Sequence, residues 1–204
     1  MEDVKTRRAE YAEQTRTAVL DAAARAFAEH GFAKASVTGI ATTARVTKGA
    51  VYHHFAGKQN LFEAVFDRYN EAAQRRVYDA FANHPVDPWQ AALAGLDATL
   101  DVGMDPVAAR LIYIEGPVGL GRDRWRDSED RYTRRNVRRL LQSLVEAGVY
   151  PDDLPMDATS ELVTAMVTRI GVALAEAPSR QRQAVRDELR LALHRLMTGL
   201  GRQT

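Results

Sequence analysis

Apolar residues recur every three or four positions along almost the whole chain. This spacing places apolar side chains on one face of an α-helix, because the helix completes a turn in about 3.6 residues. No run of residues shows the strict alternation of apolar and polar positions that marks a half-buried β-strand. The pattern therefore predicts an all-α protein.

The N-terminal part of the chain predicts one long helix followed by two short ones. Gly31 stands where a glycine in the left-handed conformation would end the first helix. Ser36 and Thr47 are placed to cap the two short helices, because their side-chain oxygens can accept hydrogen bonds from free backbone N–H groups. The predicted bounds are 11–30, 37–44 and 47–55, closed by Gly57.

Beyond residue 58 the predicted helices become longer. An apolar stripe from Leu61 to Ala73 marks the first of them. Asp87-Pro88 and Asp105-Pro106 each place a capping carboxylate before a proline, which is the pattern of a helix start. The Gly-Pro-Val-Gly-Leu-Gly run at 116–121 predicts a break. Three further helices are expected over 124–147 and along the apolar stripes 162–174 and 185–200, which divides the chain into predicted units of residues 1–57 and 58–204.

Composition restricts the class of protein. With 204 residues, of which 46% are hydrophobic and 27% charged, the chain is typical of a soluble globular protein. It contains no cysteine, which excludes disulfides, thiolate metal sites and cysteine nucleophiles. The charged N-terminus lacks the apolar segment of a signal peptide, and no stretch approaches about 18 uninterrupted apolar residues. We therefore expect a cytoplasmic protein that does not span a membrane.

Positive charge is concentrated near the N-terminus. The formal net charge of the chain is +1, but residues 1–60 hold nine Lys and Arg against six Asp and Glu. Between Ser36 and Lys58 there are three basic residues and no acidic residue. Such a segment can face phosphate groups, although most charge clusters are simply solvated.

Two short helices joined by a tight turn are typical of a helix-turn-helix, a motif that reads DNA. The N-terminal residues of its second helix contact base edges, and here they combine a hydroxyl group, a long cation and two small residues. Ser36 and Thr38 begin the first helix, where free N–H groups favour a phosphate. The predicted DNA contacts are Ser36, Thr38, Thr47, Lys48, Gly49, Ala50, Tyr52, His53 and Lys58.

Two alternatives remain open for these contacts. Tyr52 and His53 can be surface aromatic residues without a role in binding. The basic arm at Lys5, Thr6, Arg7 and Arg8 can enter a minor groove or be disordered.

Several residue types recur at fixed spacing in residues 15–66. They are Gly31-Phe32, Ile40-Ala41 and the segment Lys48-Gly49-Ala50-Val51-Tyr52-His53-His54-Phe55-Ala56-Gly57-Lys58. This pattern resembles the N-terminal region of the TetR family of bacterial transcriptional regulators. The resemblance implies that Thr47, Lys48, Gly49 and His53 face the DNA, that Tyr52 and Lys58 hold phosphates, and that Phe55 packs inside.

Two positions depart from the family pattern. Arg45 stands in the turn where the family usually has glycine, so either Arg45 takes a left-handed backbone at a steric cost or the turn differs. Thr38 and Gly39 stand in the second helix where a charged pair is usual. Which bases or phosphates that helix contacts is therefore open.

Enzymatic signatures are weak in this sequence. The glycines at 116–121 have no preceding strand and no following Lys-Ser or Lys-Thr, unlike a phosphate-binding loop. The five histidines show no metal-ligand spacing, and no HExxH or nucleophile-elbow motif occurs. We expect no catalytic residue, no metal and no cofactor, while noting that a catalytic triad is a spatial arrangement.

The second unit carries an unusual set of charged and aromatic residues. Eight arginines and four acidic residues lie between Arg122 and Arg139, and Asp127-Arg131 and Asp130-Arg134 have the i, i+4 spacing of ion pairs. Arg169 lies in an otherwise apolar helix, so we expect it to be partly buried and to need a partner.

These residues permit two interpretations. In one, the arginines form a solvated face, Arg169 pairs across a subunit interface and the aromatic residues pack in the core. In the other, they line a small-molecule pocket, and an arginine without an acidic partner favours an anionic or carbonyl-bearing ligand. The TetR resemblance supports a pocket, since family members commonly release DNA when a small molecule binds this region. The candidate ligand-binding residues are Trp89, Arg110, Tyr113, Trp125, Met166 and Arg169.

The sequence thus predicts an N-terminal three-helix DNA-binding unit and a C-terminal helical bundle for ligand binding and dimerisation. The stripes Leu162 to Leu174 and Val185 to Leu200 can pair between two copies as a four-helix bundle, or the monomer core can use them. The predicted function is a homodimeric repressor that binds a palindromic operator and is released by a small molecule. The alternatives are a ligand-independent activator, and a carrier or enzyme with a vestigial helix-turn-helix unit.

Overall fold

The computed structural model describes residues 2–84 and 86–201, with side chains described for residues 9–84 and 86–199. Every regular element within these residues is a helix, which confirms the all-α prediction. Seven of the described helices contain no π-helical segment. They are α1 Glu2–Lys34, α2 Val37–Thr43, α3 Lys48–His54, α4 Lys58–Ala82, α5 Pro88–Met104, α8 Met156–Glu176 and α9 Arg182–Gly201. Two helices contain a wider π-helical segment: α6 (106–120) joins Pro106–Ala109, Arg110–Glu115 and Gly116–Leu120, and α7 (122–146) joins Arg122–Ser128, Glu129–Arg134 and Arg135–Glu146.

Helices α1 to α3 and the first turns of α4 enclose one apolar core. Phe27 of α1, Ile40 of α2, Val51 of α3 and Phe62 of α4 are at most 2% exposed. The Phe62 ring stands edge-on to the rings of Phe27 and Phe32, with ring centroids 5.1 Å apart in each pair. Because α4 contributes to this core and then continues into the bundle, the boundary at residues 57 and 58 stays a prediction.

The caps predicted from the sequence are present. Ser36 Oγ accepts a hydrogen bond from the Gly39 N–H at 3.0 Å, and Thr47 Oγ1 accepts one from the Ala50 N–H at 3.1 Å. Asp87 and Asp105 cap the starts of α5 and α6 in the same way. These caps satisfy N–H groups that have no partner within their own helix.

Helix α1 is longer than the pattern predicts. It begins at Glu2 rather than near residue 11, and it ends at Lys34. Gly31 has φ 78° and ψ 161°, so it kinks the helix before one last turn instead of ending it. The predicted basic arm at residues 5–8 lies on this helix, and its side chains lie outside the described residues.

Arg45 adopts the left-handed backbone that was one of two expectations for this turn, with φ 57°. A side chain in this conformation costs about 1 to 2 kcal/mol, because Cβ crowds the following carbonyl oxygen. We expect Arg45→Gly to raise the free energy of unfolding by about 1 kcal/mol, since the greater freedom of glycine in the unfolded chain offsets part of the relief. Urea denaturation measures this change.

Arg45→Ala is the matched control, because it removes the same charge but keeps Cβ. An equal gain in stability for both variants would contradict the role of the backbone. It would point to relief of charge repulsion instead.

The predicted break in the run 116–121 is present but is confined to its last residue. Residues 116–120 are helical, and only Gly121, with φ 77°, interrupts the chain between α6 and α7. The wider turn before Pro117 separates its ring from the preceding backbone, which relieves the clash that a proline causes inside an α-helix. The two glycines in this segment serve close packing. A Cβ on Gly116 would lie 2.5 Å from the Trp125 ring, and a Cβ on Gly119 would overlap the Phe62 ring.

Helix α5 is the centre of the C-terminal bundle and packs against α4, α8 and α9. Its alanine and glycine residues permit this close approach: a Cβ on Gly103 would lie 2.5 Å from Leu174 Cδ1 of α8. Arg186 and Arg190 of α9 bind Asp101 and Asp97 of α5, with shortest distances of 2.7 and 2.5 Å. The bundle is therefore held by small-residue contacts inside and by ion pairs at its edge.

The apolar stripes of α8 and α9 are only partly used in the core. Ile170, Leu174 and Leu193 are buried, whereas Leu162 is 67% exposed and Leu191 and Leu196 are each 54% exposed. The side chain of Leu200 lies outside the described residues. Each stripe thus contributes to the monomer and also leaves apolar surface uncovered.

The stripe of α4 also differs from its prediction. Leu61, Phe62, Val65 and Phe66 are buried, but Ala72 is exposed. The helix leaves the N-terminal core at this level and borders the C-terminal bundle instead.

Among the described helices, α8 has the length and mean hydropathy that would allow it to cross a membrane. It packs against α5, α6 and α7 in the bundle. About one third of its apolar stretch, 33%, is buried, so packing in the bundle accounts for part of this composition.

Candidate functional site

Helices α2 and α3 pack against each other and present an exposed polar surface. We call it the α2–α3 surface, and Ala50 lies half-buried within it. No acidic residue occurs between positions 36 and 58, so the surface carries no negative charge of its own. Its exposed members are Ser36, Thr38, Thr47, Lys48, Gly49, Tyr52 and His53.

The start of α3 holds the predicted base-reading residues. Thr47 caps the helix, and the exposed Lys48 follows directly. The Lys48 Nζ lies 5.8 Å from the centroid of the Tyr52 ring, where the ring face attracts the cation. Tyr52 is 49% exposed, so its hydroxyl group is available to a phosphate or a base.

Lys58 has an intramolecular partner that the sequence did not predict. Its Nζ donates a hydrogen bond to the Ala33 carbonyl oxygen at 3.0 Å and lies 4.7 Å from the centroid of the Phe32 ring. A basic group at the end of a helix is favourable, because the last carbonyl oxygens carry partial negative charge. The predicted phosphate contact of Lys58 stays a prediction, and the ammonium has further N–H groups for it.

The C-terminal bundle contains a cavity of about 170 Å³ between α4, α5, α6, α7, α8 and α9. This volume is similar to the roughly 150 Å³ of an apolar cavity that holds benzene. Aliphatic and aromatic side chains form most of the wall, among them Phe81, Leu144 and Tyr150. A mostly apolar wall with a few polar groups is typical of a small-molecule site.

Polar side chains interrupt this wall on several helices. Glu129, Thr133 and Asn136 follow one another along α7 at spacings of four and three residues. Thr168 of α8 donates a hydrogen bond to Glu129 Oε1 at 2.7 Å. Asn70 of α4 also lines the cavity and is only 5% exposed.

The structure brings three of the six predicted ligand residues to the cavity. Tyr113, Trp125 and Met166 line it. Burial raises the pKa of Tyr113 to about 12, so its hydroxyl group keeps its proton and can donate a hydrogen bond at neutral pH. These three assignments stay predictions about binding.

The other three predicted ligand residues do not line this cavity. Trp89 packs against the apolar cluster around Ala92, and Arg110 binds Glu115 at 3.0 Å. Arg169 is exposed on the single chain, and its pairing across a subunit interface stays a prediction. By their spacing Leu162, Met166 and Arg169 lie along one face of α8, and Met166 is the member of this set that lines the cavity.

The arginines of α7 have more partners than i, i+4 spacing indicates. Arg134 binds Asp130 at 3.0 Å, as predicted, and also binds Glu161 of α8. Arg138 binds Asp157. Among the described side chains no ion pair joins Asp127 to Arg131, because i, i+4 spacing permits such a pair but does not require it. Arg139 is the arginine of this set that lines the cavity, and it is exposed.

The cavity residues that sequence reasoning missed had a detectable signal. Asn70 interrupts an apolar stripe four residues after Phe66 and three before Ala73. Glu129, Thr133 and Asn136 form a polar row on one helix face. A polar position inside an otherwise apolar face is an informative feature, because burial of a polar group needs a partner.

Glu115 connects the cavity helix to the DNA-binding unit. It is 6% exposed, and its Oε2 accepts a hydrogen bond from the Phe32 N–H at 2.8 Å. Its Oε1 accepts one from Arg110 at 3.0 Å. Ile112 and Tyr113, in the same segment of α6, line the cavity. One helix thus contacts both the cavity and the kink of α1.

We expect Glu115→Gln to lower the free energy of unfolding by about 1 to 3 kcal/mol. The change removes the charge from two hydrogen bonds and leaves an amide N–H₂ facing a donor, which is a mismatch in a buried site. Urea denaturation measures the loss. Glu176→Gln is the matched control, because Glu176 is exposed at the end of α8. Equal stability of Glu115→Gln and the wild type would contradict this contact.

A metal ion bound by protein side chains needs several ligating groups close together. Among the side chains of residues 9–84 and 86–199, no three His, Asp or Glu side chains cluster as metal ligands would.

Comparison with known families assigns both halves of the chain. Residues 19–65 match the model of bacterial regulatory proteins of the TetR family. Residues 89–200 match the model of the tetracyclin repressor-like C-terminal domain. The first match contains the α2–α3 surface, and the second contains most of the cavity wall.

Individual relatives agree with these models. The chain is 37% identical over 79 residues to the transcriptional regulator TtgR of Pseudomonas putida, covering 39% of this chain and 38% of TtgR. It is 27% identical over 192 residues to the regulator SrpR of Pseudomonas putida, covering 87% of this chain and 83% of SrpR.

Solved structures share the whole fold. A TetR-family transcriptional regulator from Pectobacterium atrosepticum superposes with a TM-score of 0.77 at 26% identity, covering 95% of this chain and 97% of that chain. The ketosteroid regulator KstR2 of Mycobacterium tuberculosis superposes with a TM-score of 0.68 at 19% identity, covering 92% and 95%. On the matches to both family models, the chain belongs to the TetR family of bacterial DNA-binding transcriptional regulators.

Proposed function

We propose that this regulator is a homodimeric repressor that binds a palindromic operator through the α2–α3 surface and is released by a small molecule in the cavity. One observation carries the proposal: α6 lines the cavity with Ile112 and Tyr113 and holds the α1 kink through Glu115. A ligand can therefore act on the DNA-binding unit through a rigid element. We place the protein in the cytoplasm, where its DNA is, and assign it no enzymatic role.

The proposed mechanism is a shift of population between two dimer states. In one state the two α3 helices, one from each protomer, are spaced to enter successive major grooves. In the other state their separation does not match that spacing. A ligand that prefers the second state lowers the operator affinity by the ratio of its affinities for the two states. The contact of Glu115 with the Phe32 N–H is the link through which α6 would move the first unit.

The proposed dimer uses the uncovered apolar surface of α8 and α9. Leu162 and Leu191 are more than half exposed, and large exposed apolar groups mark interaction surfaces when they lie together. A two-fold dimer suits a palindromic operator, because each protomer reads one half-site. The division into residues 1–57 for DNA and 58–204 for ligand and dimer is part of the same proposal.

We expect Leu191→Glu to weaken the dimer at least about tenfold, because it places a charge in an apolar contact. Sedimentation equilibrium measures the dissociation constant. Val86→Glu is the matched control, since Val86 is 93% exposed in the segment before α5. An unchanged dimer with Leu191→Glu would move the interface away from this face of α9.

The experiment that tests the proposed function is selection of bound sequences from a random DNA pool at near-physiological salt. The expected result is an enriched palindrome whose affinity falls steeply with salt, because phosphate contacts release counterions. The affinity for that sequence is then measured with and without a panel of small metabolites. Absence of any enriched sequence would contradict the proposal and favour a carrier or an enzyme with a vestigial DNA-binding unit.

A further inference from the structure

Glu129 and Thr168 lie together towards one end of the cavity. Helices α4 and α7 run side by side in the same direction, since Tyr132 bonds Asp67 at 3.5 Å and Asn136 bonds Gln74. Helix α8 runs in the opposite direction, because Thr168 meets Glu129 while Glu161 meets Arg134. The Glu129 end lies beside α6, because Trp125, one turn before Glu129, packs against Gly116, and Gly171, three residues after Thr168, packs against Tyr113. The other end contains Leu141, Leu144 and Tyr150 of the second apolar cluster.

Glu129 supplies a carboxylate at the polar end. It is half-buried, and Thr168 fixes one of its oxygens by a hydrogen bond. Among the described side chains, no lysine, arginine or histidine lies within salt-bridge distance of Glu129. Trp125 precedes it by one helical turn and also lines the cavity. A carboxylate beside an aromatic ring is the environment that favours an organic cation.

Asn70 is a second and independent sign of a bound group. It is 5% exposed and opens onto the cavity. None of the side-chain hydrogen bonds within the described part of the chain involves its amide group. Because this amide opens onto the cavity, a bound ligand can supply the hydrogen bonds that the described side chains do not.

Arg139 is the charged group of opposite sign in the wall. It lies ten residues after Glu129 on α7, towards the apolar end, and it is exposed to solvent. A solvated charge gains little from an ion pair, whereas a half-buried carboxylate gains more. The recognising charge of the cavity is therefore negative, in contrast to the anionic ligand that the arginines of the sequence favoured.

We propose that the cavity takes an amphipathic organic cation, with its protonated amine at Glu129 and its apolar body directed towards Leu144. Asn70 and Tyr113 add hydrogen bonds near the amine end. This inference rests on the proposed function, because it names the ligand class of the same cavity. It adds a statement about the charge of the ligand, which can be tested separately from the release of DNA.

Three probes with one skeleton test the charge: phenylbutylamine, phenylbutanol and phenylbutyrate. Calorimetry on the full chain at neutral pH is expected to give the amine an affinity at least about tenfold above the alcohol, with the acid weakest. Tighter binding of the acid would overturn the proposal and point to Arg139. Equal affinities, or no binding by any probe, would also overturn it.

Glu129→Gln provides the residue-level test. It is expected to remove the tenfold preference for the amine and leave the affinity for the alcohol unchanged. The alcohol therefore reports whether the variant keeps its cavity. Glu146→Gln, an exposed residue further along the same helix, is the matched control and should keep the preference. Retention of the amine preference in Glu129→Gln would overturn the assignment.

Operator binding separates this inference from the proposed function. If phenylbutyrate or phenylbutanol binds best and releases the DNA, the proposed cationic ligand is wrong, but the proposed ligand-responsive regulator is supported. If phenylbutylamine binds at Glu129 but does not change the operator affinity, the proposed cationic ligand is supported, but the proposed release of the repressor by that ligand is wrong.

Discussion

Replacing Lys48 by alanine is expected to weaken operator binding about fivefold to 150-fold, the range that a loss of about 1 to 3 kcal/mol at one contact gives. Lys48 is exposed at the start of α3, where a long cation reaches a guanine edge or a phosphate in the major groove. Fluorescence anisotropy with the selected operator measures the affinity, and circular dichroism checks that the helical content is unchanged.

Arg180→Ala is the matched control for Lys48→Ala, because it removes one positive charge from the exposed turn between α8 and α9. It should leave the affinity nearly unchanged. Tyr52→Phe keeps the ring beside Lys48 but removes the hydroxyl group, and it should weaken binding to a smaller extent. Unchanged affinity in both Lys48→Ala and Tyr52→Phe would contradict the assignment of α3 as the recognition helix.

Replacing Gly119 by alanine is expected to lower the free energy of unfolding by about 3 kcal/mol, through overpacking of a full core. The added Cβ would overlap the Phe62 ring. Phe62 is 0% exposed and is held edge-on by Phe27 and Phe32, so its ring has no free space to enter. Urea denaturation followed by circular dichroism measures the loss.

Gly95→Ala is the matched control, because its Cβ would meet Val77 at an ordinary 4.0 Å. This variant is expected to gain up to about 1 kcal/mol, since alanine favours a helix more than glycine does. If Gly119→Ala gained stability in the same way, α6 would have to lie further from α4 than the structure places it. The contact between the cavity helix and the DNA-binding unit would then be looser.

The DNA-binding unit could be predicted from the sequence because its signals are local. Ser36 and Thr47 cap helices that begin directly after them, and the turn at Arg45 lies between two short apolar patterns. Each feature depends on residues within a few positions of one another. Capping residues and apolar periodicity are therefore enough to predict these helices, and the short lengths of the helices restrict how they can pack.

The cavity could not be predicted in the same way, because its polar wall comes from separate helices. Asn70, Glu129 and Thr168 are far apart in the sequence and meet only after the bundle has formed. The arginines of α7 stood out in the sequence more than these polar residues did. Their ion-pair partners can lie on another helix, as Asp157 does for Arg138. Spacing within one helix does not reveal such pairs.

The helix break expected over 116–121 is limited to Gly121, because glycine has two uses. It can end a helix, as composition suggests, or it can permit close contact between helices. Gly116 and Gly119 do the second, against Trp125 and Phe62. Only the tertiary neighbours distinguish these uses, and the wider turn at 110–115 that accommodates the following proline has no clear sequence signal.

The most direct test of the central claim compares two operators that differ only in half-site spacing. One is the selected palindrome, and the other has five base pairs inserted at its centre, which turns one half-site by about half a helical turn. A homodimer that reads two half-sites together is expected to bind the second operator at least about a hundredfold more weakly. Equal affinity for both operators would contradict the claim, because it would mean that each protomer binds DNA alone.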